Sequence, residues 1–369
     1  MIPALLFSLL SFLVGADALA GQNPGVNLIF VGDAMQHQAQ LDQALAEGEG
    51  KTHDYSECFT LIAPQITEAD YAVCNLEVPL GGGPRYSGFP CFSAPDSYAE
   101  GLRDAGFDLF LTSNNHCLDS GDKAARRTLK ALDRLGVDHI GTYHDAQQRD
   151  SLVPFIKDIR GIRFGFLNYT YGTNGIPPRE GMEVAMIDRA RIADEMRKTR
   201  EAGADILCVT LHWGIEYVLN ENEGQRDLAQ FLIDNGADLI IGGHPHVVQP
   251  MRVHHNDKED KDVLVVYSLG NFISNMKTTD TRGGALVKVR VERDSEGKAK
   301  FRNASYDLLY SAKPTGPGSN FKVIPSHLAP GHVPAAERQK WLLFERSARR
   351  LFDAENVGVP QIEHSEISN

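Results

Sequence analysis

One pattern recurs three times in this chain and restricts it to layered α/β architectures. Asp104-Ala105-Gly106-Phe107-Asp108 leads into Leu109-Phe110-Leu111-Thr112-Ser113 and reaches His116. Glu201-Ala202-Gly203-Ala204-Asp205 leads into Ile206-Leu207-Cys208-Val209-Thr210-Leu211 and reaches His212. Asp234-Asn235-Gly236-Ala237-Asp238 leads into Leu239-Ile240-Ile241 and reaches His244. The spacing of apolar residues predicts an amphipathic helix before each, over 97–105, 189–202 and 222–235. The glycine suits a left-handed residue closing a helix. The unbroken apolar run suits a strand covered on both faces. Each unit is therefore helix–glycine–strand and delivers a histidine just beyond the strand's carboxyl end. A fourth unit, Leu135-Gly136-Val137-Asp138-His139-Ile140, has the same form without a matching polar cluster. The irregular intervals exclude a solenoid.

Further strands extend the pattern. Val26–Val31 ends in Gly32-Asp33, Tyr71–Cys74 ends in Asn75-Leu76-Glu77, and Val263–Tyr267 ends in Ser268-Leu269-Gly270-Asn271-Phe272. A strand over 162–167 runs into a polar-aromatic loop, Asn168–Gly175, placed to cover a cleft or to form a surface turn. Alternating segments at 284–292 and 300–309 read as an antiparallel edge. Gly/Pro-rich stretches at 81–95 and 313–334 read as surface loops, and a last helix is expected over 335–353. The expected fold is a four-layer αββα sandwich of two packed sheets with helices outside. It occupies residues 21–355, with its core at 26–310, and residues 356–369 form a loose polar tail.

The N-terminus bears on destination. Residues 2–14 carry no charge, and Ala18-Leu19-Ala20 fits a small-residue cleavage site. The apolar run is shorter than the roughly 18–20 residues that span a bilayer. The expectation is a cleaved signal peptide, 1–20, and an exported protein, periplasmic or at the cell surface; an uncleaved anchor is the alternative. Five cysteines then mean at least one free thiol. Cys74 and Cys208 lie in apolar runs and read as buried residues, while Cys91 and Cys117 lie in loops where a bridge is an alternative. An excess of 49 acidic over 37 basic residues gives a net charge of −12, which argues against a nucleic-acid partner. At 42% hydrophobic and 23% charged residues, the chain is not disordered.

The polar residues collected at the strand ends are Asp33, Asn75, Glu77, Asn115, His116, His212, His244 and His246. In α/β sheets that end is where ligand sites form. Carboxylate, imidazole and amide oxygen suit borderline divalent cations such as manganese, zinc or iron. Two such ions can clamp the attacking and leaving oxygens of a displacement. His244-Pro245-His246 sets two imidazoles two residues apart, and in an extended segment both would point the same way. Gly242-Gly243 before them lets the backbone turn closely.

Gly32-Asp33, Asn75-Leu76-Glu77, Asn114-Asn115-His116, His212-Trp213-Gly214-Ile215-Glu216-Tyr217, Gly243-His244-Pro245-His246-Val247-Val248-Gln249-Pro250 and Ser268-Leu269-Gly270-Asn271-Phe272 resemble, in order, the blocks of the CapA family. That family of capsule and poly-γ-glutamate synthesis proteins is similar to the calcineurin-like metallophosphoesterases, and the resemblance runs from about residue 26 to 310. It implies the metallo-dependent phosphatase type of sandwich and a site for one or two divalent metal ions. By the same resemblance, Asp33 and His246 would ligate the first metal and Glu77 would bridge. Asn115, His212 and His244 would hold the second, and His116 would be the catalytic histidine. The departure is Met35, where the superfamily usually has a histidine; His37 is the alternative donor. Arg85, Asn75, Tyr217 and Asn271 are candidate substrate-binding residues. Trp213 lines the cleft or packs, and Glu216 orients His212 or faces solvent. The expected function is metal-dependent hydrolysis of a phosphoester or a cell-envelope polymer linkage, with an anionic polymer or phosphoester as substrate. Membrane-bound capsule-synthesis proteins are the expected partners. The alternative is a non-catalytic component that binds a polyanion during capsule assembly or export.

Overall fold

The computed structural model describes residues 25–316 and 319–364. The expected signal peptide lies outside these residues. Four parallel strands come first: β1 (Val26–Ala34), β2 (Tyr71–Leu76), β3 (Leu109–Leu111) and β4 (Asp138–Ile140). Then follow β5 (Thr142–Tyr143), β6 (Phe155–Ile159), β7 (Ile162–Thr170) and β8 (Glu183–Val184). β5 and β8 make a small ribbon. β6 and β7 open a second sheet, which β9 (Ile206–His212), β10 (Leu239–Gly243), β11 (Met251–Asn256) and β12 (Lys261–Val266) complete in the order β11-β12-β10-β9-β7-β6. The chain returns to the first sheet with β13 (Asn271–Ile273), β14 (Gly283–Arg293), β15 (Ala299–Ala312) and β16 (Lys322–Pro325). The order there is β16-β15-β14-β1-β2-β3-β4, with β13 beside the end of β1. The two long antiparallel strands are therefore not the edge expected from the sequence. β14 pairs with the central β1, and β16, hidden in a Pro/Gly-rich stretch, is the edge.

Side-chain alternation produces the layers. Leu28 and Phe30 of β1 pack between the sheets against Ile206 and Cys208 of β9 and Leu239 and Ile241 of β10. Their neighbours Ile29 and Val31 face outward, onto Tyr98 and Leu102 of the helix Asp96–Asp104 and Leu132 of the helix Gly121–Leu135. On the second sheet Leu207, Val209 and Ile240 face out against Ile192 and Met196 of the helix Arg189–Glu201 and Leu228 and Leu232 of the helix Glu223–Asp234. Parallel strands buried on both faces need continuous apolar runs, which is why the helix–glycine–strand units are legible. Gly106, Gly203 and Gly236 all have positive φ just after their helices, a conformation that glycine adopts without steric cost. The result is an αββα sandwich.

The C-terminal segment departs from expectation. After the helix Arg338–Glu355, residues 356–364 are docked rather than loose. The Val253 N–H donates to Val357 O at 2.8 Å, and the Val357 N–H donates to Met251 O at 3.0 Å, both on the second sheet. The Ile362 N–H donates to Tyr306 O at 2.7 Å, on the first sheet. The segment thus joins one sheet to the other by backbone hydrogen bonds, and Val359 is buried in the core between them. All five cysteines are free; Cys91 is exposed and the rest are buried. Among the described residues no helix is long and apolar enough to cross a membrane.

Candidate metal centre

The carboxyl ends of β1 and β2 meet those of β9 and β10. Asp33 lies near the end of β1, Asn75 near the end of β2 with Glu77 just beyond it, His212 closes β9, and His244 follows β10. Register sets His212 beside Gly243 and Asn271 beside Asp33. Two groups of potential ligands result: Asp33, Glu77 and His246, and Glu77, His212 and His244, each with donor atoms within 4.8 Å of one another. An ion bound 2.0–2.2 Å from each donor would leave donors up to about 4.4 Å apart, so little movement separates these groups from ligation. Glu77 is common to both. The Asn115 Oδ1 lies 2.7 Å from His212 Nε2, which is 3.4 Å from Glu77 Oε1.

The bond inventory shows that cations fit. Glu77 is fully buried, yet neither carboxyl oxygen has a hydrogen-bond partner among the described residues, and His244 Nδ1 has none either. Unmet polar atoms in a protein interior are costly, and here they converge on one space. Burial pushes the Glu77 carboxyl well above the usual carboxylate range, and the Asp33 charge adds to this. Burial would also raise Asp33, but the bond to His246 and the charges of His212 and His246 hold it at about 2. Burial depresses His212 to about 3 and His244 to about 2, which keeps both imidazoles neutral with lone pairs available. For His246 burial acts downward, but Glu77 and Asp33 outweigh it and lift the ring to about 9. Asp33, Glu77 and His246 are a coupled set, in which bound protons occupy positions a cation would take.

The His244-Pro245-His246 segment is not extended, as its sequence had implied. Both histidines have positive φ, +98° and +57°. Such conformations cost on the order of 1–3 kcal/mol each and concentrate at functional sites. The twist sends the rings to different neighbours. His246 Nδ1 lies 3.2 Å from Asp33 Oδ2 and 3.1 Å from Asn271 Oδ1, whereas His244 sits 4.8 Å from His212, ring to ring. The strand leading in is closely packed. A Cβ on Gly242 would meet Tyr267 O at 2.1 Å and Trp213 Nε1 at 2.4 Å, two atoms already hydrogen-bonded to each other. Gly242→Ala is expected to lower stability by at least about 1–3 kcal/mol, read as a lower urea midpoint at unchanged slope.

His116 stands beside this group. Its Nδ1 is 2.7 Å from Asp119 Oδ2, which also accepts the Phe92 N–H at 2.8 Å, and the Phe92 ring packs edge-on at 4.7 Å. Burial lowers the His116 pKa, but the Asp119 bond and the Glu77 charge reverse this and raise it overall. With Nδ1 engaged, Nε2 is the nitrogen open to a substrate. Asp119 was not anticipated; its signal was its place three residues after His116. Tyr171, in the loop after β7, has its ring 4.5 Å from that of His244 at a tilt of 45°, and Asn174 contacts Asn115 and His116 at 3.2 and 3.4 Å. The loop therefore covers the cleft.

Other expected residues fall differently. The Asn75 Nδ2 donates to Asp33 Oδ1 at 2.8 Å, and its Oδ1 accepts from Asn114 Nδ2 at 3.2 Å. With both ends of its amide engaged, it holds Asp33 in place. Asn271 is fully buried and its Nδ2 bonds the carbonyls of His246 and Thr281. Tyr217 is half exposed, 6.2 Å from His246, and remains at the rim. Arg85 is exposed and has no hydrogen bond or ion pair among the described residues, so no contact ties it to the cleft. Glu216 groups with His244 and His246 and not with His212, and the Trp213 indole donates into the fold at Tyr267 O. Met35 is buried core. The His37 Nδ1 is bonded to the Asn275 N–H and the Gln40 side chain, outside both donor groups. It does not replace the missing ligand.

The family model described as bacterial capsule synthesis protein PGA_cap matches residues 27–276. Over 273 residues the chain is 27% identical to the PGA biosynthesis protein CapA of Bacillus subtilis (strain 168), covering 73% of this chain and 68% of that protein. It is 27% identical over 277 residues to the capsule biosynthesis protein CapA of Bacillus anthracis, covering 72% and 64%. The chain therefore spans about two thirds of the length of these relatives. Among solved structures, the calcineurin-like phosphoesterase YfkN from Bacillus subtilis aligns with a TM-score of 0.44 at 14% identity, covering 88% of this chain and 100% of that one.

Proposed function

This chain belongs to the bacterial capsule synthesis protein family, and from that premise we propose that it is a metal-dependent hydrolase of a phosphoester or another linkage in an anionic cell-envelope polymer. The observation that carries this reading is Glu77: a buried carboxyl with both oxygens unpartnered, shared by two groups of potential ligands. Asp33 and His246 would hold one divalent cation, Asn115, His212 and His244 a second, and Glu77 both. Manganese, zinc and iron suit this donor set. When bound, such cations activate water and offset charge on the reacting oxygens. The chain's own residues do the rest. Asn75 and Asn271 hold Asp33 and His246 in place, and His116, oriented by Asp119, delivers a proton from Nε2 to the leaving group. Tyr171 and Tyr217 flank the entrance. Because the protein is acidic overall, the attraction of a polyanion must be local, at the cations, and not in the protein's long-range field.

The relatives' names, PGA and capsule biosynthesis, support an anionic polymer as substrate, and membrane-bound capsule-synthesis proteins are the partners this reading calls for. Export follows from the expected signal peptide; N-terminal sequencing of protein from the cell envelope should begin at Gly21. Purified protein dialysed against EDTA should lose hydrolysis of a phosphodiester or γ-glutamyl panel and regain it with manganese, zinc or iron. Cation-independent turnover would overturn the reading. The buried Met35 favours a second reading, in which a cleft short of one ligand binds the polymer without cleaving it. Saturable, cation-dependent binding of poly-γ-glutamate with no product across the panel would select it.

A further inference from the structure

A second group of metal-capable side chains lies outside the cleft. Asp307 of β15 is fully buried, and its Oδ2 lies 3.1 Å from His327 Nδ1, 2.9 Å from His364 Nε2 and 3.3 Å from Gln65 Nε2. None of these residues belongs to the groups around Glu77. Simple hydrogen bonding accounts poorly for the arrangement. Three donors crowd one carboxylate oxygen, while Asp307 Oδ1 and Gln65 Oε1, both buried, have no partner among the described residues. The two imidazoles stack face to face with centroids 3.6 Å apart, an unfavourable contact if both carry charge.

One divalent cation would relieve the crowding on Asp307 Oδ2 and hold both imidazoles neutral. Turning the Gln65 amide over presents its oxygen, since amide orientation is assigned from the surrounding hydrogen bonds. Two imidazoles, a carboxylate and an amide oxygen then make a four-donor set suited to zinc-class ions. The histidine side chains are 28% and 27% exposed, which gives an ion a route in. We propose that Gln65, Asp307, His327 and His364 form a structural site for one zinc-class cation that fastens the C-terminal segment onto β15. The four residues come from separate stretches of chain, and His364 ends the segment that links the two sheets through Val357 and Ile362. All four positions are filled by protein, so the site is closed and not catalytic.

The test uses full-length protein dialysed against zinc alone, with metal per chain counted by elemental analysis. In a Glu77→Gln background, which disables the cleft, adding His327→Ala and His364→Ala is expected to remove one zinc per chain. Zinc affinity should fall by more than about 100-fold, beyond what loss of an outer partner gives. In the wild-type background, His364→Ala alone should leave the cleft cations in place. It should also make the C-terminal segment more sensitive to protease in zinc. The His364 side chain is 27% exposed, so the variant tests ligation without unfolding the protein. Equal zinc content with and without the two histidines, or unchanged protease sensitivity, overturns the proposal.

Discussion

Glu77→Gln should abolish the stabilisation that divalent cations confer through the cleft. Wild-type protein at a cation concentration about 100-fold above Kd gains about 2.7 kcal/mol per site, a rise of a few degrees in Tm for a chain of this size. The variant loses the one donor common to both groups, so that gain should fall to what sites outside the cleft supply, and any cation-dependent turnover should vanish with it. In EDTA the order should reverse, with the variant at least as stable as wild type. The reason is linkage. Burial and Asp33 raise the Glu77 carboxyl in the folded state. The folded protein then binds more protons than the unfolded one above the ordinary carboxylate range, and stability falls as pH rises through that window. Glutamine does not titrate, so this decline should be shallower in the variant. Thermal melts from pH 5 to 8, with and without manganese, measure both effects. Equal cation response in the two proteins would remove Glu77 from the site.

His116→Ala should lower kcat by about 10²- to 10⁴-fold, the range for loss of a positioned general acid, with the metal content of the protein unchanged. Asp119→Asn should cost less. A hydrogen bond to a charged group is worth about 1.5–3 kcal/mol, which corresponds to roughly 10- to 150-fold in rate. The double variant should be no slower than His116→Ala alone, because Asp119 reaches the proton donor through the ring it holds at 2.7 Å, and asparagine can still accept the Phe92 N–H. Additive losses would give Asp119 a separate role. Metal analysis alongside the kinetics separates a proton-transfer defect from a collapsed cleft.

Much of the architecture was legible because it rests on local rules. A strand buried on both faces must be apolar throughout, and a helix returning to it closes economically on glycine, so the three units announced a parallel α/β core. Their histidines were visible as candidates because polar residues follow strands at the sheet ends. The C-terminal segment was not legible. Residues 356–364 are held largely by backbone hydrogen bonds to both sheets, which leave no trace in side-chain patterning, and the packed Val359 and Ile362 are too few to mark an element. The edge strand β16 was hidden for a related reason: four residues within a Pro/Gly-rich stretch carry too few alternations to register.

The division is sharpest at the cleft. The sequence alone determined which residue types stand at the strand ends, and that Met35 occupies a position where a ligand was expected. Only the tertiary structure decided their partners. Strand register set Asp33 beside Asn271 and His212 beside Gly243, and with positive φ at His244 and His246 one ring meets His212 and the other Asp33 and Asn271. It also tied Asn75 to Asp33 and Asn271 to His246, left Arg85 without a bond among the described residues, and brought Asp119 to His116. The physical reason is that a ligand's identity is a property of one side chain. Its role is a property of the free-energy cost of leaving that side chain unpaired, which depends on every residue the fold brings within reach.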